Sequence, residues 1–154
     1  MSNWGLVIGQ QMNNETIEEK VARLGKEDTS LCSYNPKYPE IFELEKEYLF
    51  NVLPSSIVKR IEHFGSTAIP DIPAKPIVDL LVEVSCLEET KERVAPVLES
   101  LGYDYLWRPT IGMEPPWYAW FIKRDALGKR THHIHMIEAD ISNVGAAFIS
   151  GLFD

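Results

Sequence analysis

Apolar residues recur along this chain at two periods, and the switches between them outline its elements. Ile17, Val21 and Leu24 fall at i, i+4 and i+7, the spacing of one helix face, with Asn13 and Asn14 as capping residues and Glu15, Glu18 and Glu19 near the positive end. Gly25 predicts where that helix ends. Asn35 followed by Pro36 predicts a second helix start, with Phe42, Leu49 and Leu53 facing inward and Glu43, Glu45, Lys46 and Glu47 facing solvent. Ser85 with Glu88 three residues on predicts a capping box, opening a third helix through Val94, Val97, Leu98 and Leu101 that Gly102 closes.

Strand-like patterning fills the spaces between. Ile57, Val58, Ile61 and Phe64, interrupted by Lys59, Arg60 and Glu62, predict a strand that stops at Gly65. PIVDLLVEV, residues 76–84, is nearly continuous in apolar side chains, as expected of a strand covered on both faces, and only Asp79 and Glu83 break it. The intervening STAIPDIPAKP carries three prolines in eleven residues, which excludes a regular helix throughout. Residues 103–107, 117–123 and 132–137 predict three more strands. The alternation points to an α/β (α+β) fold, a mixed β-sheet with helices packed mainly on one face. Residues 1–12 have no period and read as a loose terminus. Without a repeat or linker, 1–154 is expected to be a single domain.

Hydrophobic residues at 45% and charged residues at 25% exclude wholesale disorder. A net charge of −8 argues against stable nucleic-acid binding, while leaving room for one nucleotide carried with a cation. The sequence has no apolar run long enough to span a membrane and no basic start of the signal-peptide kind, so a cytoplasmic protein with no membrane partner is expected. Cys32 and Cys86 are far apart and lack metal-type pairing, so both are expected to be reduced. Charge is uneven, net −7 over residues 1–103 and +1 over 104–138, so an anionic ligand would favour the second region. The oligomeric state is left open by the pattern.

Asp79 inside an apolar strand, shortly after a strand that ends in Gly65-Ser66, has a mechanism attached. Glycine lets a phosphate approach the backbone, the Ser66 hydroxyl donates to it, and the Asp79 carboxylate holds a divalent cation against the same phosphate. Along that strand Asp79, Leu81 and Glu83 share a face, with the two acids about 13 Å apart. His133 and His135 also share a face, and imidazoles suit Zn, Mn, Fe or Ni better than Mg. Were their strand to lie beside that of Asp79, the three would form a site with an open position. The alternative is that these histidines serve hydrogen bonding at strand ends. Lys75 could neutralise a phosphate or cap its loop, and Arg108, Lys123, Arg124 and Arg130 could rim an anion site, although Lys123 and Arg124 alternate in face. Trp107, Trp117, Tyr118 and Trp120 fit either base stacking or packing. His63 reads as structural.

SYNPKYPEIFELE, RIEHFGSTAIPDIPAKPIVDLLVEV and RTHHIHMIE together resemble the GrpB family over residues 30–138. The resemblance implies a nucleotidyltransferase (polymerase-beta-like) fold, and domains of this type fused to dephospho-CoA kinase hint at nucleotide or coenzyme chemistry. By position it implies Gly65 and Ser66 as the superfamily's Gly-Ser pair and Asp79 as its first carboxylate. Asp79 and Ser66 are then expected to be catalytic and Gly65 and Ser66 to hold the nucleotide, with Lys75 and Arg130 joining them on account of their charge rather than of the resemblance. The second carboxylate is replaced by Leu81, which puts ordinary two-metal catalysis in question. Three readings follow: metal-assisted nucleotidyl transfer from a nucleoside triphosphate to a small acceptor; a catalytically silent nucleotide- or coenzyme-binding module; or a metal enzyme of another class centred on Asp79, His133 and His135, with Mg, Mn or Zn as the ion. Residues 139–154 depart from the aromatic and basic helix usual in the family and are expected to be a frameshift product.

Overall fold

A computed structural model describes residues 15–26, 30–111 and 114–138, excluding the side chains of 109–111 and 114–117. The expectations for residues 1–12, for Asn13 and Asn14 and for 139–154 lie outside the described residues. The chain divides into two compact units, Met1–Ser30 and Leu31–Asp154.

In the first unit, α1 (Ile17–Gly25) begins at Thr16. The Thr16 hydroxyl accepts from the Glu19 amide and the Glu19 carboxylate accepts from the Thr16 amide, a reciprocal capping box. The Asn pair was expected in this role, but Thr16 and Glu19 have the spacing that satisfies two otherwise unpaired N–H groups.

The second unit holds α2 (Tyr38–Val52), β1 (Val58–Phe64), a 3₁₀ turn (Ser66–Ala68), β2 (Val78–Val84), α3 (87–100), β3 (Asp104–Ile111), β4 (Glu114–Arg124) and β5 (Arg130–Ile137). The five strands form one mixed sheet in the order β1-β2-β5-β4-β3, in which only β2 and β5 run parallel. The expected α/β class and mixed sheet are therefore present. Alternation sends Val78, Leu80, Val82 and Val84 of β2, Ala119 and Phe121 of β4, and Ile134 and Met136 of β5 into a core with Phe42 and Leu49 of α2 and Val94 and Leu98 of α3. Apart from Ala119, each such side chain stabilises the fold by about 1.5–3 kcal/mol. Among the described residues, no helix is long and apolar enough to cross a membrane.

Two further helix starts differ from expectation. Pro39, not Pro36, occupies the first turn of α2, because Asn35 instead folds its carboxamide back to accept from the Lys37 amide. At α3, Ser85 donates to the Ser56 carbonyl, and the Leu87 amide is satisfied by Glu138 from the end of β5. No capping box forms there. The middle of α3, Thr90–Val94, widens to a π-turn in which the Ala95 amide reaches the Thr90 carbonyl. Pro96 follows directly; it lacks an N–H and its ring crowds the carbonyl four residues earlier, which explains the widening.

Glu45 is a further correction. It was expected on the solvent side of α2, yet it is 3% exposed, accepting from the Tyr103 hydroxyl and pairing with Lys123. Lys123 also lies 4.8 Å over the Tyr48 ring. A buried carboxylate is tolerated because both oxygens are engaged, and burial with this bond raises the Tyr103 pKa.

Candidate metal centre

The face of the sheet opposite the helices gathers the chemistry. β2 and β5 lie side by side in parallel, with Asp79 paired to His133 and Leu81 to His135. The alternation of each strand therefore brings Asp79, His133 and His135 to one face. Asp79 Oδ1 stands 3.6 Å from His133 Nδ1 and 3.9 Å from His135 Nε2. One donor atom from each of the three residues lies within 4.8 Å of the others.

Gly65 fixes the carboxylate from the neighbouring strand end. Its φ of 77° and ψ of −170° belong to a region that is essentially glycine's alone. A Cβ built there would lie 2.6 Å from Asp79 Oδ2. The turn that follows is held by the His63 ring nitrogen, 2.9 Å from the buried Thr67 hydroxyl, while the proline loop is tied to Cys32 through paired bonds with Ala74. His63 stacks on Phe42 on the helix side, as a structural residue should.

Burial would push the Asp79 carboxyl upward, but the two imidazoles outweigh it and hold the group below its ordinary value. His135 is displaced downward by burial against the opposing pull of Asp79. Asp79 is thus ionised and His135 neutral at pH 7, the protonation states a cation requires. Aromatic rings enclose the histidines: Phe64 and Tyr118 contact His135, and Trp120 lies 5.2 Å from His133 edge-on and 6.2 Å from His135 in a stacked arrangement.

The remaining sequence candidates separate. Arg130 is brought to the site, with Nη1 3.4 Å from His133 Nε2. Ser66 is adjacent to Gly65 but exposed, and Lys75 is exposed on the proline loop. Lys123 faces the helix side, and Arg124 pairs with Asp104 at 2.9 Å and bonds the Gly128 carbonyl. His132 is buried on the helix face beside Thr131, its pKa lowered by that burial. Leu81 is fully buried, so the position implied for a second carboxylate is part of the apolar packing. Sequence reasoning did not pair Arg108 with Trp120, whose cation–π contact at 4.8 Å depends on the β3–β4 register.

A family model described as GrpB protein matches residues 28–149. Among curated proteins, the chain is 36% identical over 113 residues to UPF0157 protein YqkA of Bacillus subtilis, covering 73% of this chain and 31% of that one. It is 35% identical over 116 residues to the glutamate-rich protein GrpB of Alkalihalophilus pseudofirmus, covering 75% of this chain and 64% of the relative. The crystal structure of conserved protein GrpB from Enterococcus faecalis superposes with a TM-score of 0.60 at 32% identity, over 73% of this chain and 64% of that one. The chain thus spans less than two thirds of the length of each of these relatives.

Proposed function

The chain belongs to the GrpB family, and from that premise we propose that it is a metal-dependent enzyme working with one divalent ion held by Asp79, His133 and His135. The observation that carries this reading is the triad's spacing. Two donors on a tetrahedral ion, each about 2.1 Å from it, stand about 3.4 Å apart. The 3.6 and 3.9 Å separations from Asp79 need to close by only a few tenths of an ångström, and the donors of the two imidazoles lie within 4.8 Å of one another. A donor set of two imidazoles and one carboxylate favours Zn or Mn over Mg.

A bound ion would supply Lewis acidity toward a phosphoryl or carbonyl oxygen. The chain's own residues do the rest. Gly65 leaves the Asp79 carboxylate one narrow place to stand, and the aromatic rings restrict the imidazoles. The turn at Gly65 and Ser66, set against Asp79, favours a phosphate-bearing substrate, and hence nucleotidyl transfer from a nucleoside triphosphate to a small acceptor as the reaction. The buried Leu81 favours doing so with one ion rather than a shared pair.

Elemental analysis of protein purified without a histidine tag tests the reading. The wild type should carry about one Zn or Mn per chain and Asp79→Asn none. Pyrophosphate release from labelled ATP by the loaded protein would support transfer, whereas nucleotide binding without turnover would favour a silent module. A wild type that retains and takes up no transition metal would overturn the metal centre.

A further inference from the structure

Two hydrogen-bond donors on the face of the triad lack an acceptor. Trp120 is 8% exposed, and its indole N–H is buried without a hydrogen-bond partner. Arg108 is exposed on β3, paired in register with Tyr118, and its guanidinium lies 4.8 Å over the Trp120 ring. No hydrogen bond or ion pair engages Arg108 among the described residues. The basic side chains of β4, by contrast, are occupied, Lys123 by Glu45 and Arg124 by Asp104.

A buried N–H without an acceptor is destabilising, so its persistence in a core-like position calls for an explanation. Indole and guanidinium are both donors only. A ligand that satisfies both must therefore offer acceptors and no competing donors, and the charge of Arg108 selects an anion. The cation–π contact already holds the guanidinium over the ring, which reduces the ordering needed on binding. Trp120 touches both histidines of the triad. An anion held at this pair would lie against the metal centre.

We propose that Arg108 and Trp120 form the oxyanion-binding half of the site, seating a carboxylate or phosphoryl group of the substrate against Asp79, His133 and His135. This rests on the metal-centre reading for its role in turnover, though the anion contacts themselves come from Arg108 and Trp120.

The test is a proton–nitrogen NMR titration of the Trp indole N–H signals in the ¹⁵N-labelled chain, with Trp120→Phe identifying the Trp120 resonance. Inorganic phosphate, malonate and chloride are added separately to metal-free and zinc-loaded protein. Phosphate or malonate should shift the Trp120 signal saturably and chloride should not; whichever of the two binds more tightly names the oxyanion. Arg108→Gln should weaken that binding by at least tenfold. A Trp120 signal that moves with neither oxyanion, or moves equally in Arg108→Gln, overturns the proposal. The two readings fail separately. An oxyanion response in protein that takes up no zinc supports the pocket while the metal centre falls, and zinc uptake with no Trp120 response does the reverse.

Discussion

Replacing Gly65 by alanine probes the geometry that makes Asp79 available. The new methyl would stand 2.6 Å from Asp79 Oδ2, 3.2 Å from its Cγ and 3.3 Å from its Cβ. The backbone, at φ 77°, also suits no residue with a side chain. The strained dihedral should cost about 1–3 kcal/mol. Overlap with the carboxylate should add about 1–3 kcal/mol, and it is relieved only if Asp79 swings away from the histidines. The two contributions differ in one respect: the backbone part persists whatever occupies position 79, whereas the overlap disappears once the carboxylate is gone. Urea unfolding followed by tryptophan fluorescence should therefore show Gly65→Ala costing less in an Asp79→Ala background than in the wild type, with a coupling energy of at least about 1 kcal/mol. Zinc affinity should fall in Gly65→Ala although residue 79 is unchanged. Equal costs in the two backgrounds would refute the claim that Gly65 shapes the position of the carboxylate.

Other expectations follow from the same geometry. Asp79→Asn should retain the fold by circular dichroism and lose zinc binding by at least a hundredfold in a calorimetric titration; an unfolded variant would make the acid a structural residue. Arg130→Gln should tighten zinc binding severalfold, since a guanidinium 3.4 Å from a ligand ring opposes a second cation; weaker binding would mean Arg130 supports the ligand. Glu45→Ala should cost about 1–3 kcal/mol, because the buried Tyr103 hydroxyl loses its acceptor while Lys123, a third exposed, still reaches water; an unchanged urea midpoint would contradict this. Burial holds the pKa values of His63, His132 and His135 below the ordinary 6.5. The unfolded chain then binds protons first on acidification, so metal-free stability should be full above pH 6.5 and decline below it. Equal urea midpoints at pH 7.5 and 5 would count against those assignments.

The central strands and the triad were legible because their signals are local. Period-two alternation puts His133 and His135 on one face whatever the neighbouring strand is, and an acid within a continuous apolar run is conspicuous. That β5 would lie beside β2 was only a condition of the site, and its parallel direction was not foreseen, since pairing across a crossover is not encoded in either strand. Glu45 was misplaced because its partners, Tyr103 and Lys123, lie 58 and 78 residues away and reach it through tertiary packing alone. The capping box at Ser85 failed for a similar reason, because Glu138 arrives from β5 to satisfy the helix start that a local pattern assigned to Ser85 and Glu88. Arg108 and Trp120 escaped pairing because their contact follows from a cross-strand diagonal in the β3–β4 register.

Zinc X-ray absorption on the loaded, untagged chain bears most directly on the metal centre, since it reads which atoms surround the ion. The zinc should be low-coordinate, with the multiple-scattering signature of two imidazoles and at least one oxygen at about 2.0–2.1 Å, the imidazole signature weakening in His133→Ala and again in His135→Ala. An ion surrounded only by oxygen, or an imidazole signature unchanged by both substitutions, would contradict the metal centre.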